Sequence, residues 1–490
     1  MFAALPPLSA ASLHAAHAAG DSARVRFRRA LVLMLMTVVL PGSAQLVAGD
    51  KRVGRIAMRT FAAAVAFVLV LGMLAVWWPT TLVSVATEAW FLGALRFGLV
   101  AYAVLWAYLV IDAWRIAEPL GLVQRHRLTL TAVNGLLCFT LSGSLLYASH
   151  LVAVQDDFIS AVFAGDDATE PAHGRYNILL LGGDAGPGRN GLRPDSITVA
   201  SIDEETGRTV LIGLPRNLAK VPFPEDSPMH REFPHGFTCE GCYLNGVNTW
   251  ANDNAELYPD AKEPGITATT EAVEEISGLT INYYVIIDLH GFRDLVDAVG
   301  GIDIKVGRRL PIGGVGGPIT GWIERGQQHL DGFETLWYTR SRATSDDYSR
   351  MARQKCVMNA MLRQLDPTTV VTNFADIAKA GKQVIATSIP RSEISTFVSL
   401  SLKAKSLPVS SVSFVPPRIN TGDPDWDLMR QMVEDAIQRS AAMDTEPAAE
   451  QAPVTDASQA PDHDRQHTKA KKRDRKPGNA NASTDLAQSC

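Results

Sequence analysis

Residues 61–78 run without a single charged side chain. At ~1.5 Å of rise per residue, such a run approaches the ~30 Å hydrocarbon thickness of a bilayer. This feature constrains the chain most, because an all-round apolar helix of that length cannot be solvated. Trp77-Trp78-Pro79 closes the run with rings suited to a membrane interface. A second apolar run spans 90–111 and contains Arg96, close enough to one end to snorkel. A third runs over 128–151, directly after Arg125-His126-Arg127. The stretch 30–47 is also apolar but is broken by Pro41-Gly42 and flanked by arginines. It reads as an interfacial or re-entrant segment, with a full fourth span as the alternative.

The basic segments 51–59 and 115–127 contrast with 79–88, which has no Lys or Arg and carries Glu88. The positive-inside rule assigns the first two to the cytoplasm, so the chain after residue 151 is expected outside it. The first 25 residues lack the compact apolar core of a cleavable signal. At 490 residues the chain exceeds one average domain, and its 47% hydrophobic content is concentrated in the first third. A net charge of −5 gives no global sign of nucleic-acid binding, and five cysteines are too few for a disulfide-built scaffold. The expected order is a cytoplasmic N-terminus with the interfacial segment (1–60), about three transmembrane helices (61–151), an acidic linker (152–175), an extracytoplasmic domain (176–440) and a disordered polar tail (441–490).

Within the soluble part the densest signal lies between Asn177 and Arg216. The apolar run Ile178-Leu179-Leu180-Leu181 stops at Gly182-Gly183-Asp184. A Gly-rich loop delivers Arg193-Pro194-Asp195, and two further strand-like runs follow, the last ending in Pro215-Arg216. Carboxylates hold divalent metals and arginines hold phosphate oxygens, so the pattern fits a pyrophosphate handled with a metal. Ordinary strand-end charge accounts for these residues as well, since turns favour Asp and Gly.

Alternating strand-like and helix-like segments over 176–440 predict an α/β domain. Helices are expected over 267–277, stopped by Gly278, over 291–299, and over 348–365. Strands are expected over 284–288 and 302–306, with a Gly-rich loop at 311–321. Asp331 is a candidate N-cap for a short helix ending in Tyr338-Thr339-Arg340-Ser341-Arg342. On the next helix Arg350 and Gln354, four apart, share a face, with Arg353 at its edge. A solvated helix surface is the plain explanation of such a charge run. The choice of arginine over lysine favours planar, bidentate partners such as phosphate.

These pieces, taken together, resemble the LytR-CpsA-Psr family of cell-envelope phosphotransferases. The matching motifs are Asn177-Ile-Leu-Leu-Leu-Gly-Gly-Asp184, Leu192-Arg-Pro-Asp-Ser196, Leu214-Pro-Arg-Asn217, Leu244-Asn-Gly246, Tyr284-Val-Ile-Ile-Asp288 and Val299-Gly-Gly-Ile302. The most specific is Leu330-Asp-Gly followed by Tyr338-Thr-Arg-Ser-Arg342 and Arg350-Met-Ala-Arg-Gln354. The likeness covers about 175–435, and the multi-span N-terminus resembles actinobacterial forms. It implies a three-layer α/β/α domain with a central mixed sheet and an apolar pocket for a polyprenyl tail. It further implies transfer of a glycopolymer from a polyprenyl-pyrophosphate carrier to a peptidoglycan hydroxyl, forming a phosphodiester and releasing polyprenyl phosphate.

By position, the resemblance assigns Mg2+ (or Mn2+) to Asp184 and Asp195. It assigns pyrophosphate to Arg193, Arg216, Arg340, Arg342, Arg350 and Gln354, with Asp184, Asp195 and Arg216 as the catalytic set. Two departures stand out: Asn217 replaces the family's common Asp and cannot act as a base, and Tyr243 stands where a lysine is frequent. A polyprenyl-pyrophosphate phosphatase, or a lipid-binding regulator without catalysis, are the competing readings. Cys239 and Cys242 are spaced for a local disulfide, although with His230 and His235 they also have zinc-ligand arithmetic. Trp322, Trp337, Phe292 and Phe333 read as core aromatics, with pocket lining as the family-based alternative.

Overall fold

The computed structural model describes residues 10–163, 165, 167–184, 193–314, 317–364, 377, 385–404 and 407–442. The chain divides into two compact units, Met1–Asp157 and Phe158–Cys490.

The first unit is helical: α1 (Ala10–Val39), α2 (Ser43–Ala48), α3 (Lys51–Trp77), α4 (Pro79–Thr87), α5 (Ala89–Ile116) and the start of α6 (Gln124–Val162). Three of these, α3, α5 and α6, are long and apolar enough to cross a membrane. The apolar stretch of α3 is 0% buried within the chain, an exposed apolar surface of the kind that a membrane covers. Pro41-Gly42 breaks α1 from α2, and Gly42 takes φ 94. A Cβ there would stand 2.6 Å from Gly54 O and 2.7 Å from Ala57 Cβ, so only glycine lets the turn lie against α3. The broken segment is therefore a helix–turn–helix and not a fourth span among the described residues.

One expectation needs correction here. The linker expected from 152 is helical as far as Val162; separately, 79–87 forms the short helix α4. Pro79 at the first helical position explains the latter, since its missing N–H costs nothing there. The tail lies outside the described residues from 443 onward.

The second unit is built on a six-stranded mixed sheet. Its strands are β1 (Arg175–Asp184), β2 (Arg193–Asp203), β3 (Thr209–Leu214), β4 (Tyr283–Asp288), β9 (Ile385–Thr387) and β10 (Ser410–Ser413), in the order β10-β3-β2-β1-β4-β9. β2 runs antiparallel to β1 and β3, whereas β4 is parallel to β1. Alternation sets the two faces. Leu179, Leu181, Ile197, Val199 and Ile212 pack with residues of α8 (Leu244–Asp253), α9 (Pro264–Ser277) and α14 (Trp426–Ala442). On the opposite face Ile178 and Tyr283 pack near Phe397 of α13 (Ile394–Ala404), and Leu180 lies against Met358 of α12 (Asp347–Gln364). The architecture is thus three-layered, as expected.

A satellite core joins α10 (Leu289–Ala298), α11 (Gly332–Arg340) and α12 to two two-stranded antiparallel pairs. These are β5 (Ile302–Val306) with β8 (Gly326–Leu330) and, between them in the chain, the hairpin β6 (Leu310–Gly313) with β7 (Ile319–Ile323). The hairpin replaces the expected Gly-rich loop at 311–321, because Leu310 and Ile323 pair across it and bury their side chains. Asp331 caps α11, its carboxylate accepting from Glu334 N at 2.7 Å.

Candidate functional site

The sheet's polarity gathers the charged strand ends. With β2 antiparallel to its neighbours, the end of β1, the start of β2 and the end of β3 share one edge, and Asp288 ends β4 beside them. Asp184 pairs through its backbone with Arg193; the Asp184 side chain and residues 185–192 lie outside the described residues. Asp195 opens β2, and Arg216 follows Pro215 just past β3.

Into this edge α12 and the end of α11 bring four more charged groups from over a hundred residues downstream. Arg216 NH1 donates to Asp195 Oδ1 at 2.6 Å, and its Nε donates to Asp347 Oδ2 at 3.2 Å. Arg350 donates to the Asp195 carbonyl at 3.0 Å and stands 3.5 Å from Asp195 Oδ1. Arg342 lies 3.4 Å and Arg350 3.8 Å from Asp347 Oδ1. Arg350 is only 2% exposed, and its Nε has no partner among the described residues. Burial pushes the Arg350 guanidinium below its usual pKa. Burial alone would raise Asp347, but Arg350, Arg216 and Arg342 outweigh it and hold the carboxyl below its ordinary range.

Asp347 was missed as a site residue in the sequence; its position three before Arg350, on one helix face, was the available signal. Arg353 was misjudged. It does not sit at the edge of the ligand-facing surface but is buried, donating to Tyr338 O at 2.6 Å, to Ser341 O, and to Ser345 Oγ at 3.3 Å. Burial lowers its pKa to about 10. One guanidinium thus fixes the backbone on either side of Arg340 and Arg342. Ser341 Oγ adds a bond to Pro311 O at 2.9 Å, tying the same turn to β6.

The charged edge is one end of a cleft of about 770 Å³. Arg193, Asp195, Arg216, Arg340, Arg342, Arg350 and Gln354 all line it. Away from them the walls are Leu180, Val285 and Ile287 from the sheet, Phe292 and Leu295 from α10, and Val357, Met358 and Met361 from α12. The site is therefore amphiphilic: cationic at the strand ends, apolar beyond. Phe292 and Trp337 line it and also pack against the satellite core, so both readings hold for them. The core reading fails for Trp322 and Phe333, which are 39% and 46% exposed. Tyr243 and Asn217 border the cleft, and Asn217 Nδ2 reaches Thr421 Oγ1 at 3.4 Å.

Among the described residues no three His, Cys, Asp or Glu side chains gather to hold a metal. The donors at the strand ends are hard carboxylate oxygens of the kind Mg2+ takes. Both arginine contacts to the Asp195 carboxylate fall on Oδ1, leaving Oδ2 outside them. Cys239 and Cys242 are joined in a disulfide, and His230 Nδ1 lies 3.1 Å from Phe223 O.

The LytR_cpsA_psr family model matches residues 153–430. The cell wall biosynthesis protein LcpA of Corynebacterium glutamicum is 25% identical over 322 residues, covering 59% of this chain and 60% of its own. A polyisoprenyl-teichoic acid–peptidoglycan teichoic acid transferase TagU of Bacillus anthracis is 28% identical over 220 residues, 44% of this chain and 62% of its own. The chain thus spans about three-fifths of the length of these relatives. The crystal structure of B. subtilis TagV aligns over 55% of this chain and 97% of its own, with 22% identity and a TM-score of 0.40.

Proposed function

The chain belongs to the LytR-CpsA-Psr family, and from that premise we propose that it is a membrane-anchored phosphotransferase. It moves a glycopolymer from a polyprenyl-pyrophosphate carrier onto a peptidoglycan hydroxyl. The observation that carries this reading is the amphiphilic cleft: five arginines stand at one end of a cavity whose remaining walls are apolar. A diphosphate esterified to a long hydrocarbon has that same division.

In this reading the acceptor hydroxyl oxygen attacks the phosphorus next to the sugar. A new P–O bond forms, the bond to the bridging oxygen breaks, and polyprenyl phosphate leaves with that bond's electron pair. Phosphoryl transfer asks little covalent work of a protein, so positioning and charge neutralisation dominate. Arg340, Arg342, Arg350 and Gln354 grip the phosphates together with Arg193 and Arg216. Buried Arg350 acts without competition from bulk water, and its unengaged Nε is a donor for a phosphate oxygen. Asp347 keeps three guanidiniums at fixed spacing before substrate arrives. Asp195 and Asp184 would hold Mg2+ or Mn2+, which would neutralise pyrophosphate charge when bound. The hydroxyl proton passes to a carboxylate at this edge, since Asn217 cannot accept it.

The spans confine the domain to the plane of the carrier lipid, which raises its effective concentration. The basic segments 51–59 and 115–127 favour a second unit outside the cytoplasm, and the Cys239–Cys242 disulfide is compatible with an oxidising compartment. The teichoic acid carrier and peptidoglycan acceptor on which the relative TagU acts support the same carrier and acceptor classes.

The test supplies the purified full chain with a polyprenyl-pyrophosphate-linked saccharide, Mg2+ and a soluble peptidoglycan fragment. A phosphodiester-linked conjugate with stoichiometric polyprenyl phosphate is expected. Release of polyprenyl phosphate and saccharide phosphate at a rate indifferent to acceptor would identify a phosphatase instead.

A further inference from the structure

We propose that one end of the membrane unit is a binding surface for anionic phospholipid headgroups. Three helix ends meet there. The Phe27 ring stacks on His126 with centroids 4.4 Å apart, which sets Arg26, Arg28 and Arg29 of α1 beside Arg125 and Arg127 of α6. A Cβ on Gly49 would fall 2.5 Å from Ile116 Cδ1. The start of α3, with Lys51 and Arg52, therefore lies against the end of α5, with Arg115. Arg55 and Arg59 follow one and two turns along α3.

Ten cations thus converge on one end, and all but the half-buried Arg127 are exposed. Among the described residues no ion pair joins any of them to a carboxylate. Among the described residues, the three acidic groups nearby are otherwise engaged or outnumbered. Asp50 Oδ1 accepts from Arg52 N at 2.7 Å as the cap of α3, Asp112 Oδ2 accepts from Gln45 Nε2 at 3.3 Å, and Glu118 stands alone in solvent. So much unpaired positive charge on one end repels itself unless a counter-charge covers it.

The neighbouring surface says what kind of partner that is. Leu120 is 82% and Leu128 62% exposed, and Val25, Ile56 and Val123 are exposed among the same arginines. A nucleic acid or an acidic soluble protein would cover the cations and leave these aliphatic side chains in water. An anionic phospholipid covers both, with phosphate on guanidinium and acyl chain on the aliphatic band. A zwitterionic lipid carries its own ammonium against the arginines and is the poorer fit. Nine of the ten cations are arginine, the side chain whose planar fork matches a phosphate. The inference stands whichever side of the membrane this end faces, and it does not rest on the transfer reaction.

The test uses the full chain purified in detergent and exposed to mixed micelles holding phosphatidylglycerol and phosphatidylcholine in equal amounts. Retained lipid is counted by native mass spectrometry. Phosphatidylglycerol is expected to be retained over phosphatidylcholine by about tenfold. The triple variant R26Q/R28Q/R29Q should cut that preference severalfold, while R308Q/R309Q in the second unit should leave it intact. Equal retention of the two lipids, or the same loss in both variants, overturns the proposal. The unmodified chain supplies an independent reading: its preference should fall as salt rises, and a salt-insensitive preference also overturns it.

Discussion

Arg216 NH1 stands 2.6 Å from Asp195 Oδ1, across the ends of two adjacent strands. The pair is half-buried, with side-chain exposures of 20% and 23%. It therefore adds little to folding and matters for charge placement. Asp195→Asn keeps the shape and one acceptor but removes the charge that fixes Arg216 and serves the cation. We expect turnover to drop by about 10²–10³-fold, with a thermal midpoint close to the parent's. Polyprenyl phosphate release and a thermal scan on one preparation check this; retained turnover would show that the charge is dispensable.

Asp347 ties together Arg216, Arg342 and Arg350. Its pKa is held below the ordinary value, so the stability it contributes is present above about pH 4 and lost as pH falls below it. Asp347→Asn leaves three guanidiniums facing each other without their shared anion. A flatter acid limb in the stability–pH curve is expected, with weaker binding of the carrier and a lower rate. An acid limb identical to the parent's would show that this carboxylate is not the linked group.

Much of this was legible in the chain, and what was not has physical causes. The runs at 178–181, 197–202 and 210–214 were readable as strands because both faces of a central strand are buried. The charged residues at their ends were readable because turns interrupt the apolar pattern there. Nothing local announced that α12 would bring Arg350 against Asp195, since that contact joins positions 155 apart. Arg353 and Arg350 are alike in sequence and their spacing of three gives them one helix face, so only the tertiary contacts of Arg353 with the 338–345 turn separate it from the cleft-lining Arg350. The β6–β7 hairpin was hidden by its glycines, which signal a loop as readily as a tight turn.

Arg353 positions the turn that carries Arg340 and Arg342 without lining the cleft. Arg353→Lys keeps a cation but cannot reach Tyr338 O, Ser341 O and Ser345 Oγ together. At least one buried acceptor is left unpaired, at a cost of about 1–3 kcal/mol. The thermal midpoint should fall and KM for the carrier should rise more than kcat falls. Unchanged KM with a lowered midpoint would confine Arg353 to stability.

The Cys239–Cys242 disulfide closes a loop of sequence separation 3. A loop so short removes little denatured-state entropy, and the chain-entropy estimate is about 2 kcal/mol. Neither cysteine lines the cleft, although Tyr243 beside Cys242 does. The double variant C239S/C242S should lower the thermal midpoint slightly and leave turnover unchanged. A loss of turnover at a normal midpoint would bring the 221–242 segment into the reaction.

Lys355 is 9% exposed on the sheet side of α12, with Nζ 3.3 Å from Ser411 Oγ. Burial lowers its pKa from 10.5 to about 8. At pH 7 the amine is protonated in both folded and unfolded chains, so the folded state bears the full cost of a buried charge. That cost is about 3 kcal/mol at ~1.4 kcal/mol per pH unit. As pH rises from 8 to 10.5 the folded chain releases its proton first, the unfolded chain binds more, and stability climbs. Lys355→Met fills the site without charge, so at pH 7 it should be more stable than the parent by up to about 3 kcal/mol. Its advantage should shrink between pH 8 and 10.5 as the parent's amine becomes neutral. Thermal scans of both chains across that interval measure the gap, and a gap of constant size would mean that the Lys355 amine titrates alike in the folded and unfolded chains, so that its burial carries no cost.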